Sequence, residues 1–399
     1  MDSHSLLARR AAALSPAAFS GHHGTIPFES GDAFPGIFPD LTAAAELALT
    51  KYRTETLQYA PRPGLPEMRE WVAQYLTADG ARTSPQEVLM SNGAKHGIDL
   101  LCRLLLDEGD SIVVTAPTYF TAIPIFKSHG VSFVEVGQDA EGIDVEAIEA
   151  SFTRLCRQGR KLPKFIYNIP DFHNPTSVTM SRRRREALVE IGARHGVLVV
   201  EDSPYRKIRF QGESEPSLKA LDQDQGVLTV GTFSKLVAPG LRVGWVTAPP
   251  DLVNRMGQLK SDGGSSPLLQ RTVLEFCKTG GVESHTRIAQ DTYGAHRDRM
   301  VRALRRELPQ VTFAIPDGGY YVWITLPEEM DGDALAKRAA EEHVLIIPGS
   351  KFFAGKGHPK NHVRLAYSYT TPEEIDEGIG RLARAYAALA EKAKVQENA

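Results

Sequence analysis

Apolar and polar positions recur along this chain with two different periods, and the period switches many times. In LPEMREWVAQYL the residues Leu65, Met68, Trp71, Val72 and Tyr75 fall at helical spacing, which predicts an amphipathic helix. Short apolar runs then alternate with further helical patterns. A helix after Gly93 precedes strand SIVVT, a helix from Thr118 precedes strand VSFVEV, and a helix near Val145 to Leu155 precedes strand KFIYN. A helix after Ser181 leads to GVLVV, and the strands LTVGT and RVGWVT close the series. Strands apolar throughout, each joined to the next by a helix, predict a mostly parallel sheet, because parallel neighbours need crossover helices that bury both faces. After Pro249 the texture turns helical, with one long pattern from about Val282 to Leu308. Strands VTFAI, GGYYVWITL, HVLIIP and HVRLAYS follow, and an amphipathic helix runs from Pro372 to about Lys392. The expected fold class is α/β, with a large domain over 51–280, a smaller α+β domain over 281–399, and an N-terminal segment, 1–50, that joins the small domain.

Bulk properties narrow the classes. A chain of 399 residues with 42% hydrophobic content exceeds one ordinary core, in line with two domains. The formal net charge of -3 predicts neither a nucleic-acid nor a membrane partner. The basic run Arg182 to Arg185 follows Ser181, a candidate N-cap, and is expected to be a solvated helix face. Cys102, Cys156 and Cys277 have no CxxC spacing and leave one unpaired, which points to a reducing cytoplasm. The N-terminal AAALSPAAF is too short and too interrupted by Pro16 for a signal peptide, and no apolar run reaches membrane-spanning length. Histidines are scattered without ligand spacing, so no metal site is expected.

The chemistry concentrates around Lys235 in GTFSKLVAPGLRVGW. A lysine preceded by small hydroxyl residues and followed by Arg242 suits an amine that forms an imine with an aldehyde cofactor while hydroxyls and a guanidinium hold a phosphate. Gly93, Ala94 and Lys95 open an apolar helical pattern, where unspent amides favour an anion. Asp202 ends the apolar run GVLVVED, at the carboxyl edge where open α/β sheets bind ligands. Strand alternation sends its neighbour Glu201 to the other side.

Six segments occur in one order: SNGAKHG, APTYF, NIPDFHNPTS, VVEDSPY, SKLVAPGLRVGW and VRLAYS. Together they resemble the fold-type-I pyridoxal-phosphate enzymes of the class I/II aminotransferase family, in the branch with aromatic and 2-aminoadipate aminotransferases. The resemblance runs from about Tyr59 to the C-terminal helix. It implies pyridoxal 5'-phosphate held as an imine by Lys235, with Thr232, Ser234, Arg242 and the Gly93–Lys95 turn on the phosphate. It implies Asp202 on the pyridine nitrogen, Asn174 and Tyr205 on the phenolic oxygen, and Tyr119 stacked on the ring. Arg364 would grip the substrate α-carboxylate and Gly31 would lie in a loop over the substrate. Tyr59 would reach the phosphate of a neighbouring subunit, making the enzyme a homodimer with shared sites. The implied reaction moves an amino group between an L-amino acid and a 2-oxo acid through a pyridoxamine phosphate intermediate. The alternative is another reaction on the same cofactor: elimination, decarboxylation, cyclisation or oxidation. Sensing domains of transcription regulators share this fold, but the segment before Tyr59 is expected to leave no room for a DNA-binding module. The sequence departs from the family pattern at Ser177, where glycine is usual, at His173, at Lys95 and at the pair His22–His23, all expected near the substrate or the phosphate.

Overall fold

The six strands read from the sequence before Pro249 hydrogen-bond with two that were not read, Val88–Ser91 and Gly142–Ile143, into one eight-stranded sheet. In the computed structural model, which describes residues 7–8 and 24–397, the strands are β1 (Ile26–Pro27), β2 (Val88–Ser91), β3 (Ser111–Ala116), β4 (Ser132–Asp139) and β5 (Gly142–Ile143). They continue with β6 (Phe165–Asn168), β7 (Leu198–Asp202), β8 (Val227–Thr232) and β9 (Gly244–Thr247), then β10 (Tyr321–Thr325), β11 (Val344–Leu345), β12 (Ile347–Pro348) and β13 (His362–Ala366). The large sheet has the order β2-β9-β8-β7-β6-β3-β4-β5, with only β9 and β5 running against the rest. From β3 the chain steps outward to β4 and then returns to the other flank of β3 with β6. That reversal opens a crevice at the carboxyl ends of the strands.

Helices cover both faces. Helix Pro66–Ala78 buries Met68 and Val72 beside Val88 and Met90, while Trp71 and Tyr75 stack with ring centroids 5.1 Å apart. Helix Ala94–Leu105 presses Gly97 against the sheet so closely that a Cβ there would sit 2.8 Å from Val246. Its partners Ile98 and Leu101 are almost fully buried.

The C-terminal part builds a second sheet, β10-β13-β12, and the 27-residue helix Gly281–Glu307 leads to it. The N-terminal segment joins this region, since β1 pairs with β11, Ile26 opposite Val344. Three expectations need correction. VTFAI forms no strand; only Thr312 bridges to Thr325, and Arg297 takes the carbonyl of Pro316 as the chain turns away. HVLIIP splits at Ile346, with β11 pairing to β1 and β12 to β13. The helix expected from Thr118 starts at Ala122, because Thr118 gives its amide to Phe352 O (2.7 Å) and the next residues line the crevice.

Ser181 does cap helix Arg182–His195, its hydroxyl accepting from Arg184 N at 3.4 Å. The basic run behind it is no uniform solvated face. Arg182 and Arg183 are exposed, but Arg185 is fully buried and pairs with Asp171 at 2.8 Å. It also donates to the carbonyls of Met180, Pro170 and Pro216. Burial alone pushes the Asp171 carboxyl up, yet Arg185 and Arg206 hold it below its usual range. Removing one partner of such a pair strands a buried charge. Arg185→Ala is therefore expected to cost about 3–5 kcal/mol in chemical unfolding. A loss under about 1 kcal/mol, the scale of an exposed pair, would contradict this reading.

Candidate active site

The loops that leave the carboxyl ends of β3, β6, β7 and β8 meet the N-terminal segment and β13 around an open cleft of about 270 Å³. Of the residues singled out in the sequence, Gly31, Ala94, Lys95, Tyr119, Asn174, Asp202, Tyr205, Thr232, Ser234, Lys235, Arg242 and Arg364 line it.

At one end the elements make an anion cradle. Gly93, at φ 82°, is the N-cap of helix Ala94–Leu105 and offers no side-chain cap, so the first amides of that helix stay unspent. A Cβ on Gly93 would stand 2.6 Å from the Arg242 guanidinium, which explains why this turn has no side chain. Arg242, itself left-handed at φ 52°, donates to Asn92 O at 3.0 Å. Thr232 donates to the Ser234 hydroxyl at 2.9 Å, so both hydroxyls are held at the mouth of β8. Lys95, the departure from the family pattern, lines the cleft from the helix side.

Asp202 ends β7 with one oxygen accepting from the Tyr167 hydroxyl at 2.6 Å and the other buried without a partner. Burial raises its pKa to about 7, against the pull of Tyr167. A buried acceptor with no donor calls for one from a ligand. Glu201 faces the opposite side of the sheet, where Leu218 N (2.9 Å) and Lys219 N (3.2 Å) donate to it. Lys235 gives its amine to Gly31 O at 2.6 Å. Burial lowers its pKa to about 8; Asp32 opposes that shift, while Arg364, Arg242 and Lys95 add to it.

Arg364 projects from β13 into the other end. It is buried and donates to Asn174 Oδ1 (3.2 Å) and Glu29 O (2.5 Å), both neutral, while its Nε has no partner. Its guanidinium carbon lies 4.2 Å from the centroid of the Tyr321 ring. Sequence reasoning missed Tyr321, whose hydroxyl shares a 2.9 Å hydrogen bond with that of Tyr205. It also missed Tyr167, Glu29, Asp32 and Phe120, since no pattern in the strand YYVWIT separates a lining tyrosine from a packed one.

Three calls fall elsewhere. Tyr59 is outside this cleft and 86% exposed, near Gly263. Ser177 keeps the left-handed backbone of the usual glycine, at φ 59°, and its hydroxyl donates to Tyr321 O at 2.7 Å instead of facing the cleft. His173 is core: it bonds Thr115 Oγ1 at 2.9 Å, and burial lowers its pKa to about 3, so it is a neutral hydrogen-bonding residue. His22 and His23 lie outside the described residues. Among the described residues there is no cluster able to hold a metal ion and no helix long and apolar enough to cross a membrane.

The family model described as "Aminotransferase class I and II" matches residues 26–382. This chain belongs to that family. It is 36% identical to the 2-aminoadipate transaminase of Thermus thermophilus over 92% of this chain and 91% of that one. It is 34% identical to aromatic-amino-acid aminotransferase 1 of Thermococcus litoralis, over 84% and 81%. Among solved structures, the kynurenine aminotransferase of Pyrococcus horikoshii superposes with a TM-score of 0.91 at 31% identity, covering 97% of this chain and 98% of that one. The aminotransferase is thus a fold-type-I, pyridoxal-phosphate-dependent transaminase.

The cleft fits that cofactor: a glycine turn and guanidinium for phosphate, a partnerless carboxylate oxygen for a ring nitrogen, and an amine between them. At a pKa of about 8, roughly one-tenth of the Lys235 amine is neutral at pH 7, against less than about one in a thousand for an ordinary lysine. Recombination of apoprotein with pyridoxal phosphate should therefore accelerate about tenfold per pH unit below 8 and level off above it. A rate still climbing at that slope through pH 10 in stopped-flow absorbance would show an ordinary lysine instead.

Proposed function

We propose that the transaminase reaction runs through the residue roles that follow, acting on an L-amino acid and a 2-oxo acid. The observation that carries this reading is Arg364: a buried guanidinium with only neutral hydrogen-bond partners among the described residues and an unspent Nε, facing the cleft that Lys235 enters. A planar carboxylate is the partner that such a fork accepts in two-pronged fashion. Arg364 then binds the α-carboxylate, and Asn174, already hydrogen-bonded to it, sets its orientation.

Gly93, Ala94, Lys95, Thr232, Ser234 and Arg242 would hold the phosphate of pyridoxal phosphate, Asp202 its ring nitrogen, Asn174 and Tyr205 its phenolic oxygen, and Tyr119 its ring face. When bound, the cofactor supplies an electron sink for the α-carbon and carries the amino group from donor to acceptor. Lys235 Nζ takes the proton from the substrate α-carbon and returns it, which a partly neutral amine can do near pH 8. Asp202, whose carboxyl sits near pH 7 when alone, ionises against a protonated ring nitrogen and keeps that nitrogen charged. Gly31 leaves room where a Cβ would press to 2.2 Å from the Tyr321 hydroxyl.

The dimer and the domain division belong to the same proposal. Tyr59 is exposed within its own subunit, and Phe38, Leu47, Leu49 and Leu57 are exposed apolar neighbours in sequence, as expected of a surface covered by a second copy. The boundaries 1–50, 51–280 and 281–399 are supported by the large sheet falling within 88–247 and the small one within 321–366. A cytoplasmic location is supported by three free cysteines.

Given one amino acid and no acceptor, the wild type should release a single equivalent of 2-oxo acid per site, stop, and restart when a 2-oxo acid is added. Arg364→Ala should slow both half-reactions by about 2–5 kcal/mol, since the carboxylate persists through each. Continued product without acceptor, or carbon dioxide release, would favour the alternative chemistry.

Tyr59 allows a separate test. In mixed dimers of Tyr59→Phe with Lys235→Ala, cross-subunit placement puts both lesions in one site and leaves the other intact. Activity at limiting cofactor should then exceed that of either parent mixture. No gain in verified heterodimers would place Tyr59 outside the neighbour's site.

A further inference from the structure

Once the cofactor and α-carboxylate take their partners, the cleft has a charge left over. Its lining cations are Lys95, Lys235, Arg242 and Arg364, and the roles above use all four. Its lining acids are Glu29, Asp32 and Asp202; Asp202 has a role above, and Asp32 is the one considered for the substrate. Asp32 is exposed to the cleft, its carboxylate accepts from the Ser30 hydroxyl at 2.7 Å and from no other side chain among the described residues, and it is the acid whose charge acts on Lys235.

The segment that carries Asp32 is held in place at successive residues. Arg364 grips Glu29 O (2.5 Å), Lys235 grips Gly31 O (2.6 Å), Ser368 donates to Asp32 O (2.7 Å), and Phe34 N donates to the Tyr293 hydroxyl (3.1 Å). The backbone at Asp32 therefore stays beside the cleft through the Ser368 and Tyr293 contacts, even when ligands claim Arg364 and Lys235. The Arg364 guanidinium lies 4.2 Å from the centroid of the Tyr321 ring and 5.5 Å from that of Phe120, and Gly31, next to Asp32, is so close to Tyr321 that a Cβ there would sit 2.2 Å from its hydroxyl. A substrate whose α-carboxylate sits on Arg364 directs its side chain along this wall, which is aromatic with a carboxylate at its rim. Among the described residues no lining cation remains to receive a second carboxylate.

We propose that Asp32 is a specificity-determining residue, selecting amino acids whose side chain has an apolar stem ending in an ammonium or other N–H donor, and rejecting those that end in a carboxylate. This rests on the reading of Arg364 as the α-carboxylate site. An opposite charge at the tip gains an ion pair, whereas a like charge meets repulsion and an unpaired, partly desolvated carboxylate.

The test compares L-lysine, L-norleucine and L-2-aminoadipate, similar in length and differing in terminal charge. Single-turnover kcat/KM is measured for wild type, Asp32→Asn and Asp32→Glu, each taken as a ratio to norleucine in the same protein. Wild type should favour lysine over 2-aminoadipate. Asp32→Asn should lower the lysine ratio about fivefold, the factor that about 1 kcal/mol gives, and raise the 2-aminoadipate ratio. Asp32→Glu should keep the wild-type order. Wild type that takes 2-aminoadipate as well as norleucine, or ratios unmoved in Asp32→Asn, would overturn the inference. Calorimetric binding of the same three amino acids to cofactor-loaded Lys235→Ala protein, with and without Asp32→Asn, reads the selection without turnover. Binding in the expected order with no 2-oxo acid from any of the three would refute the reaction and leave the selection standing.

Discussion

A guanidinium buried without a carboxylate is costly, and among the described residues Arg364 has none as a hydrogen-bond partner. It stands on β13 of the small sheet, yet its hydrogen bonds reach the loop after β6 and the segment after β1, so one side chain joins three distant stretches of chain. Its plane is fixed by Tyr321, whose hydroxyl meets Tyr205 and whose carbonyl receives Ser177. In the proposed function the unmet bonding capacity of Arg364 is what the cleft offers to a substrate, and its packed surroundings keep that capacity from being spent within the protein.

Burial governs the other two ionisable groups in the same way. Desolvation moves the Lys235 amine down to about 8 and the Asp202 carboxyl up to about 7, each toward its neutral form. Both therefore change charge near neutral pH, where a proton can be exchanged at little cost. The same physics gives His173 the opposite fate. With Thr115 and Thr176 to bond and no charge to meet, it is simply neutral, and the departure from the family pattern that it represents is absorbed by the core. Ser177 is absorbed likewise: it accepts the left-handed backbone and recovers a hydrogen bond to β10.

The order of apolar strands and helices, the mostly parallel sheet and the place of Asp202 at its carboxyl edge were legible in the sequence, because strand and helix periods are local and the carboxyl ends of parallel strands share one edge, whereas Lys235 and Arg364 stood out through the resemblance of their motifs to a family. Alternation sent Asp202 and Glu201 to opposite sides and the family pattern favoured Asp202; the bonds of Glu201 to Leu218 and Lys219 place it on the other face. Tertiary structure decided the rest. VTFAI has strand composition but finds a partner only at Thr312, and HVLIIP serves two sheets because its two halves meet different neighbours. The arginine run looked solvated until Asp171 and three carbonyls closed around Arg185. Whether Tyr321 and Asp32 face the cleft, or Ser177 and His173 turn away from it, depends on contacts between residues tens to hundreds of positions apart, and a periodic pattern along the chain carries no information about such distances.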